Sequence, residues 1–353
     1  MHTRASDPVC PEGRKGACPK ATTKIKETPM QTPVARKLMA GWIMLSAACG
    51  SIAATADTFP SRSLRIVMNI AAGGNGDSVA RQVAERLGTA LGQPVVVENR
   101  PGADALVSVQ NVLNAPADGY SLIMLTPSSV AQPLLQKEVG YGARRDFRPL
   151  TMIYRTAAAL VTRADSPYAT VDQFLTATRA NPGTVSLATY GLSYRAGAML
   201  LAHQGRMRFN DISYKGYSQA ANDVIGGAVD AALVDAGSAM PLVQSGKLRV
   251  LAVASRDRLP AFPSVPTFRE RGFPEYELYV WLGLAVRAQT PDATVQRLEK
   301  ELTRIVATPD FKAFVGKFGA GTEVIASNGA QMANQLANED ARYRTALAGL
   351  ERK

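Results

Sequence analysis

The chain has 353 residues, 46% of them hydrophobic, with 40 Lys and Arg against 29 Asp and Glu for a formal charge of +11. That apolar fraction excludes a disordered chain, and no run reaches the roughly 20 apolar residues a membrane-spanning helix needs. At about 150 residues per domain the length suggests two domains.

Residues 1–35 are polar, rich in Thr, Pro and Lys, and lack apolar periodicity. Arg36 and Lys37 then precede an apolar stretch over 38–48 and small residues ending in Ala54-Thr55-Ala56 before Asp57. A basic region, a short apolar region and an A-x-A site are the parts of a secretory signal. Residues 1–56 therefore read as a signal peptide with an N-terminal extension, a conventional start falling near Met30, and the protein is expected in the periplasm. The alternative is a cytosolic protein with a disordered basic tail. The segment carries eight of the 40 basic residues and three of the 29 acids, which leaves 32 against 26, a net charge of +6. No Lys/Arg cluster with interleaved aromatics survives, so nucleic acid is not an expected partner. The modest positive charge suits a protein that meets anions. Cys10, Cys18 and Cys49 all fall in the leader, so the exported chain is expected to hold no disulfide, thiol nucleophile or Cys metal site. Cys49 stands one residue out of step with a lipobox, which argues against lipidation.

After the leader, strands alternate with helices. Residues 64–70 form a short apolar run between Pro60 and Gly73-Gly74 and read as a buried strand. Asp77 is placed to cap the next helix, in which Val79, Val83, Leu87 and Leu91 recur every four residues until Gly92 stops it. Strands are predicted at 94–98, 120–125, 157–162, 185–189, 212–214, 228–234, 248–254 and 276–286. Helices are predicted at 104–113, 170–180, 196–203, 219–226, 240–245, 292–307 and 329–350, with a short one among Pro263, Pro266 and Gly272. This alternation argues for parallel α/β sheets. There is no internal repeat or low-complexity linker, so two lobes would be joined by strands rather than a tether.

The strand–loop–helix Ala71-Ala72-Gly73-Gly74-Asn75-Gly76-Asp77 is the most informative local feature. Glycines let a ligand approach the backbone, and a helix N-terminus offers unpaired N–H groups and partial positive charge to an anion. The plain alternative is a tight turn without a ligand. Gly74-Asn75-Gly76 also supplies half of a dinucleotide fingerprint, with Glu98 as a ribose ligand, but Val79 occupies the third glycine's place and no G-K-[ST] follows for a P-loop. A second loop, Ala188-Thr189-Tyr190-Gly191-Leu192-Ser193-Tyr194-Arg195, could take the other side of an anion, with Arg195 gripping a carboxylate or simply lying on the surface.

Candidates for catalysis are few. His203 is the one histidine beyond the leader and sits in a helix among Leu200, Leu201 and Ala202. No acidic or His cluster has metal-ligand spacing, and no G-x-S-x-G elbow is present. The sequence favours binding over turnover, with no cofactor and no metal. A dinucleotide-dependent α/β enzyme and a protein-interaction module remain as alternatives.

The chain resembles the periplasmic solute-binding proteins of tripartite tricarboxylate transporters, the Bug-type receptors, from about Phe59 to its end. The resemblance rests on Ala71-Ala72-Gly73-Gly74 with Asp77-Ser78-Val79-Ala80-Arg81, on Asn99-Arg100-Pro101-Gly102-Ala103, and on Ala117-Asp118-Gly119-Tyr120. It continues through Tyr214-Lys215-Gly216, Gly226-Gly227-Ala228-Val229-Asp230, Ser245-Gly246-Lys247-Leu248-Arg249 and Pro263-Ser264-Val265-Pro266-Thr267-Phe268 to Trp281. It implies an α/β, two-lobed type II periplasmic binding protein fold with a hinge of two crossover strands, near 157–162 and 277–286. One lobe would join 57–160 with 280–353 and the other would hold 161–279. The implied role is to capture a small carboxylate-bearing metabolite between the lobes, as a monomer, and deliver it to the permease subunits of a tripartite transporter or report it to a sensor. Carried over onto this sequence, the ligand site comprises Ile70, Ala71, Gly76 and Asp77 on one lobe and Tyr190, Gly191, Ser193 and Tyr194 on the other. Tyr214 and Asp235 are outer candidates. The chain departs from the family where Asn75 and Gly76 replace the usual Pro and Thr, and where bulky Tyr194 and Arg195 fill the second loop. Arg195 is accordingly expected to add a direct cationic contact, or Tyr194 to stack on an aromatic acid.

Overall fold

The structure, a computed structural model, describes residues 59–350. The signal-peptide reading, the three cysteines and the start near Met30 lie outside the described residues. The strands in chain order are β1 (Leu64–Met68), β2 (Val95–Asn99), β3 (Ser121–Leu125), β4 (Phe147–Arg163), β5 (Ser186–Tyr190), β6 (Asn210–Tyr214), β7 (Ala231–Asp235), β8 (Leu248–Val253), β9 (Tyr279–Arg287) and β10 (Thr322–Val324).

These strands make two sheets that share β4. In the first, β1 lies parallel between β2 and β3, β9 runs antiparallel to β3, and residues Phe147 to Ala157 of β4 pair with β9. β10 adds to β4 through Val324 opposite Tyr154. In the second sheet, Ala158 to Thr162 of β4 pair antiparallel with β7, while β8 joins from Ala159 onward. Parallel β5 and β6 complete it. The chain returns beside β4, where the Ala158 N–H donates to the Leu278 carbonyl and the Leu278 N–H to that of Ala254. Sequence patterning finds only the second half of β4. The first half, beginning Phe147-Arg148-Pro149, carries no alternation to mark it.

Helix Asn75–Leu91 forms because its four-residue apolar spacing makes one stripe. Val79, Val83 and Leu87 are fully buried against the first sheet, each contributing about 1.5–3 kcal/mol. Gly92, in the left-handed conformation at φ 70°, ends it by donating its N–H to the Gly88 carbonyl. The helix starts two residues before Asp77. Gly74 is extended there and supplies no side chain, so Asp77 is not the N-cap but a first-turn residue. Helix Gly191–Gly205 likewise begins five residues earlier than its spacing suggests, with Tyr190 at the N-cap. Helix Pro127–Leu135, absent from the sequence reading, is opened by Thr126 and Ser129 as a capping box with Pro127 in its first turn.

One apolar cluster packs the first sheet against helices Asn75–Leu91 and Asp292–Ala307, and another packs the second sheet against Tyr217–Ile225 and Ala236–Gln244. A third runs through both, from Val67 and Ile123 by way of Trp281 and Met332 to Leu187 and Leu233. In that shared core the Trp281 indole N–H donates to Glu339 on the C-terminal helix at 2.7 Å, and burial pushes the Glu339 carboxyl up to about 7. No helix among the described residues is long and apolar enough to cross a membrane.

Candidate functional site

A cavity of about 810 Å³ opens between the two sheets. Loop residues Asn69–Ala72 and Gly74–Gly76 form one wall, with Pro101–Ala105, Thr126 and Ser128 beside them. Tyr190, Gly191, Ser193, Tyr194, Lys215, Asp235 and Gly237 line the facing wall. Its floor is made by the crossover strands, through Tyr154 and Thr156 of β4 and Val280 and Leu282 of β9.

The first loop is held from behind. The Asn99 amide donates to the Ile70 carbonyl and to Asp77 Oδ1, both at 3.0 Å. Asp77 Oδ2 accepts from the Gly73 N–H and from Arg81 Nε, again at 3.0 Å. The Arg81 guanidinium is the main cause that holds the Asp77 carboxyl down at about 2, helped by the Gly73 and Asn99 donors against the effect of burial. Asp77 thus braces the loop and is not part of the cavity wall. The helix's own hydrogen bonds begin with the Ser78 N–H donating to Gly74, so the amides of Asn75 and Gly76 precede that ladder, and both residues line the cavity. Gly76 sits closely against two side-chain tips, which would have to give by a few tenths of an ångström to admit a larger residue. A Cβ there would come within 3.0 Å of Ile70 Cδ1 and 3.2 Å of Leu282 Cδ1.

Two helix starts meet across the opening. Ser128, in the first turn of Pro127–Leu135, and Ser193, in the first turn of Gly191–Gly205, bring their hydroxyls to 3.0 Å. Gly191 sits at φ 66°, where only glycine is unstrained. On the other side of the cavity Gly237 abuts backbone, and a Cβ on it would stand 2.5 Å from the Phe318 carbonyl.

Behind the second wall lies a polar aromatic corner. Tyr190 and Tyr194 pack with ring centroids 4.4 Å apart, and Tyr217 meets Tyr190 edge-on at 6.2 Å. The Tyr190 hydroxyl donates to Asp235 Oδ2 at 2.8 Å. Burial raises the tyrosine hydroxyls, that of Tyr217 to about 12, and pushes the Asp235 carboxyl up as well.

Of the residues singled out from sequence, Ile70, Ala71, Gly76, Tyr190, Gly191, Ser193, Tyr194 and Asp235 are brought together on this cavity. Three are not. Arg195 points away and its Nε lies 3.4 Å from Asp211, so the expected direct cationic contact has no geometry here. The Tyr214 hydroxyl is engaged at 2.7 Å with Asp223. Asp77 is committed to the loop. Tyr194 is only 3% exposed and its ring is spent on Tyr190, which leaves no open face for an aromatic acid. Sequence reasoning missed Thr126, Ser128, Tyr154, Lys215, Tyr217 and Gly237. Only the Thr126-Pro127-Ser128-Ser129 capping pattern and, for Lys215, the Tyr214-Lys215-Gly216 motif pointed to any of them. The dinucleotide alternative loses its parts: Val79 is fully buried in the core, and Glu98 pairs with Arg65 and Arg100. No cluster of His, Cys, Asp or Glu suited to a metal ion occurs among the described residues.

Comparison with known proteins gives a consistent picture. The family described as TctC, tripartite tricarboxylate transporter family receptor, matches residues 79–349. Protein BugT of Bordetella pertussis is 32% identical over 282 residues, covering 77% of this chain and 85% of BugT. Among solved structures, MatC from Rhodopseudomonas palustris with bound malate is 26% identical with a TM-score of 0.71, covering 82% of this chain and 99% of MatC. An R. palustris protein with adipate is equally similar, at 26% identity and TM-score 0.71, over 82% of this chain and 98% of its own.

Proposed function

Because the chain belongs to the tripartite tricarboxylate transporter receptor family, we propose that it captures a small carboxylate-bearing metabolite in the cavity between its lobes and delivers it, unaltered, to the permease subunits of such a transporter. The family is one of periplasmic solute-binding receptors, not of enzymes. The observation that carries the reading is the pair of loop–helix units opposed across one cavity: Asn75 and Gly76 at the start of a helix on one wall, and Gly191 and Ser193 at the start of a helix on the other. Helix starts stabilise an anion through partial positive charge and unpaired donors, an effect that grows in an enclosed site. Malate and adipate in the structural neighbours are ligands of the same chemical kind.

The contacts proposed are Ile70, Ala71 and Gly76 from one lobe and Tyr190, Gly191, Ser193, Tyr194 and Asp235 from the other, with Asp77 as a positioning residue. Residues 57–160 with 280–353 are proposed as one lobe and 161–279 as the other. The change of β4 partners after Ala157 supports that division. Export by a cleaved leader within 1–56 and a monomeric state complete the proposal. Calorimetric titration against dicarboxylates, tricarboxylates, aromatic acids and amino acids tests it. Saturable binding of at least one acid, recovered chemically intact, is expected, and a flat response to the whole panel refutes it.

A further inference from the structure

The ribbon of β4 and β9 that floors the first cavity has a second cavity behind it. Successive residues of a strand face opposite ways. Tyr154, Thr156, Val280 and Leu282 line the cavity already described, while Arg155 and Tyr279 line one of about 460 Å³ on the other side. The segment carrying Glu275 and Glu277, Leu200 of helix Gly191–Gly205, and Glu339 and Arg342 of helix Gly329–Leu350 close it. Its size falls in the range of about 300–1,000 Å³ common to small-molecule sites.

The charges of this rear cavity do not balance internally. Arg155 pairs with Glu323 and lies 4.1 Å over the Tyr279 ring. Arg342 donates to the backbone carbonyls of Glu275 and Glu277. Among the described residues no ion pair reaches the side chains of Glu275, Glu277 or Glu339. Glu339 is the informative member. It is only 6% exposed, one of its oxygens accepts from the Trp281 indole, and the other, Oε2, is buried with no hydrogen-bond partner. An unmet carboxylate oxygen in such a setting costs free energy that a donor entering the cavity would recover. An ammonium beside it would also favour the ionised form that burial opposes. The acids are spread out as well. No three of them come close enough to hold a metal ion, which suits separated charges on one flexible chain rather than a single ion.

We propose that the rear cavity is a second ligand site, for an aliphatic diamine. One ammonium meets Glu339 Oε2, the other meets Glu275 and Glu277, and the methylenes between them lie against Leu200 and Tyr279. The site stands apart from the carboxylate cavity, on the opposite face of the ribbon, and does not depend on which acid that cavity holds.

Calorimetry on the whole chain in about 0.15 M salt, where charges farther than about 8 Å are screened, tests this. Putrescine and cadaverine are titrated against the uncharged butanediol and pentanediol. At least one diamine is expected to bind saturably, and about tenfold or more tightly than its diol. The double variant Glu275→Gln/Glu277→Gln, on a segment away from the first cavity, is expected to weaken that diamine about tenfold. Glu339→Gln keeps an acceptor for Trp281, removes the charge, and is expected to do the same. The double variant decides even if Glu339→Gln does not fold. The proposal is overturned if neither diamine binds, if the diols bind as tightly, or if the folded double variant keeps the affinity, since the amine then sits elsewhere. A flat response to organic acids would refute the receptor reading and leave these outcomes unaffected.

Discussion

Asp77 and Asp235 stand at the starts of two helices on either side of one cavity, and their surroundings shift their carboxyls in opposite directions. Asp77 accepts from the Gly73 amide, the Arg81 guanidinium and the Asn99 side chain, and is held at about 2. Asp235 has the Tyr190 hydroxyl, no paired cation and a buried setting that pushes it up. The same residue type near a helix start is a brace in one wall and a buried, tyrosine-bound carboxyl in the other. What separates them is the company each keeps, since a carboxylate whose acceptors are filled by its own chain has nothing left for a ligand.

The largest test removes the brace. Asp77→Ala leaves the Gly73, Arg81 and Asn99 donors without their acceptor and is expected to cost about 2–3 kcal/mol in urea denaturation. A loss below about 0.5 kcal/mol would erase the contrast with Asp235. pH sharpens the comparison because the signs differ. The contribution of Asp77 is complete above its ordinary value of 3.8 and disappears as pH falls toward about 2. The raised carboxyl of Asp235 favours the fold at low pH, and that share is lost as pH rises through its elevated value. Asp235→Asn should therefore gain stability relative to the wild type as the buffer is taken upward from about pH 4, and Asp77→Asn should draw level with the wild type as it is taken down from there. Denaturation midpoints at several pH values show both trends or neither.

The two glycine loops differ by a smaller amount. Gly191→Ala meets no atom within 4 Å but must hold φ 66°, and about 1–2 kcal/mol of stability should go. Gly74→Ala, equally open and at φ −89°, should stay within about 0.5 kcal/mol. The smallest effect is expected at Tyr194→Phe, which removes a buried hydroxyl that bonds nothing. The ligand-free protein should gain up to about 1 kcal/mol, read by thermal denaturation, and a clear loss would mean that the hydroxyl has a partner.

Much of this architecture could be read in advance because periodicity reports burial. Val79, Val83 and Leu87 announce their helix, and the apolar runs at β1, β3 and β8 announce strands covered on both faces. The loops of the first wall were legible because glycines mark a backbone that must come close. The second wall was only partly so. Tyr190 and Asp235 are 45 residues apart, and nothing in either segment says that one donates a hydrogen bond to the other. Arg195 looked functional for its type and position, yet the rotation of its helix sends it to Asp211. Pro149 and Arg148 hid the first half of β4, whose extension is dictated by partners more than 120 residues away on β9.

That long strand sets the mechanics of capture. Backbone bonds hold β4 to β9 and β10 at one end and to β7 and β8 at the other, so the lobes can swing only if a continuous ribbon twists. Opening should then be low in enthalpy and leave the amide protons of mid-β4 among the slowest in the molecule to exchange with solvent.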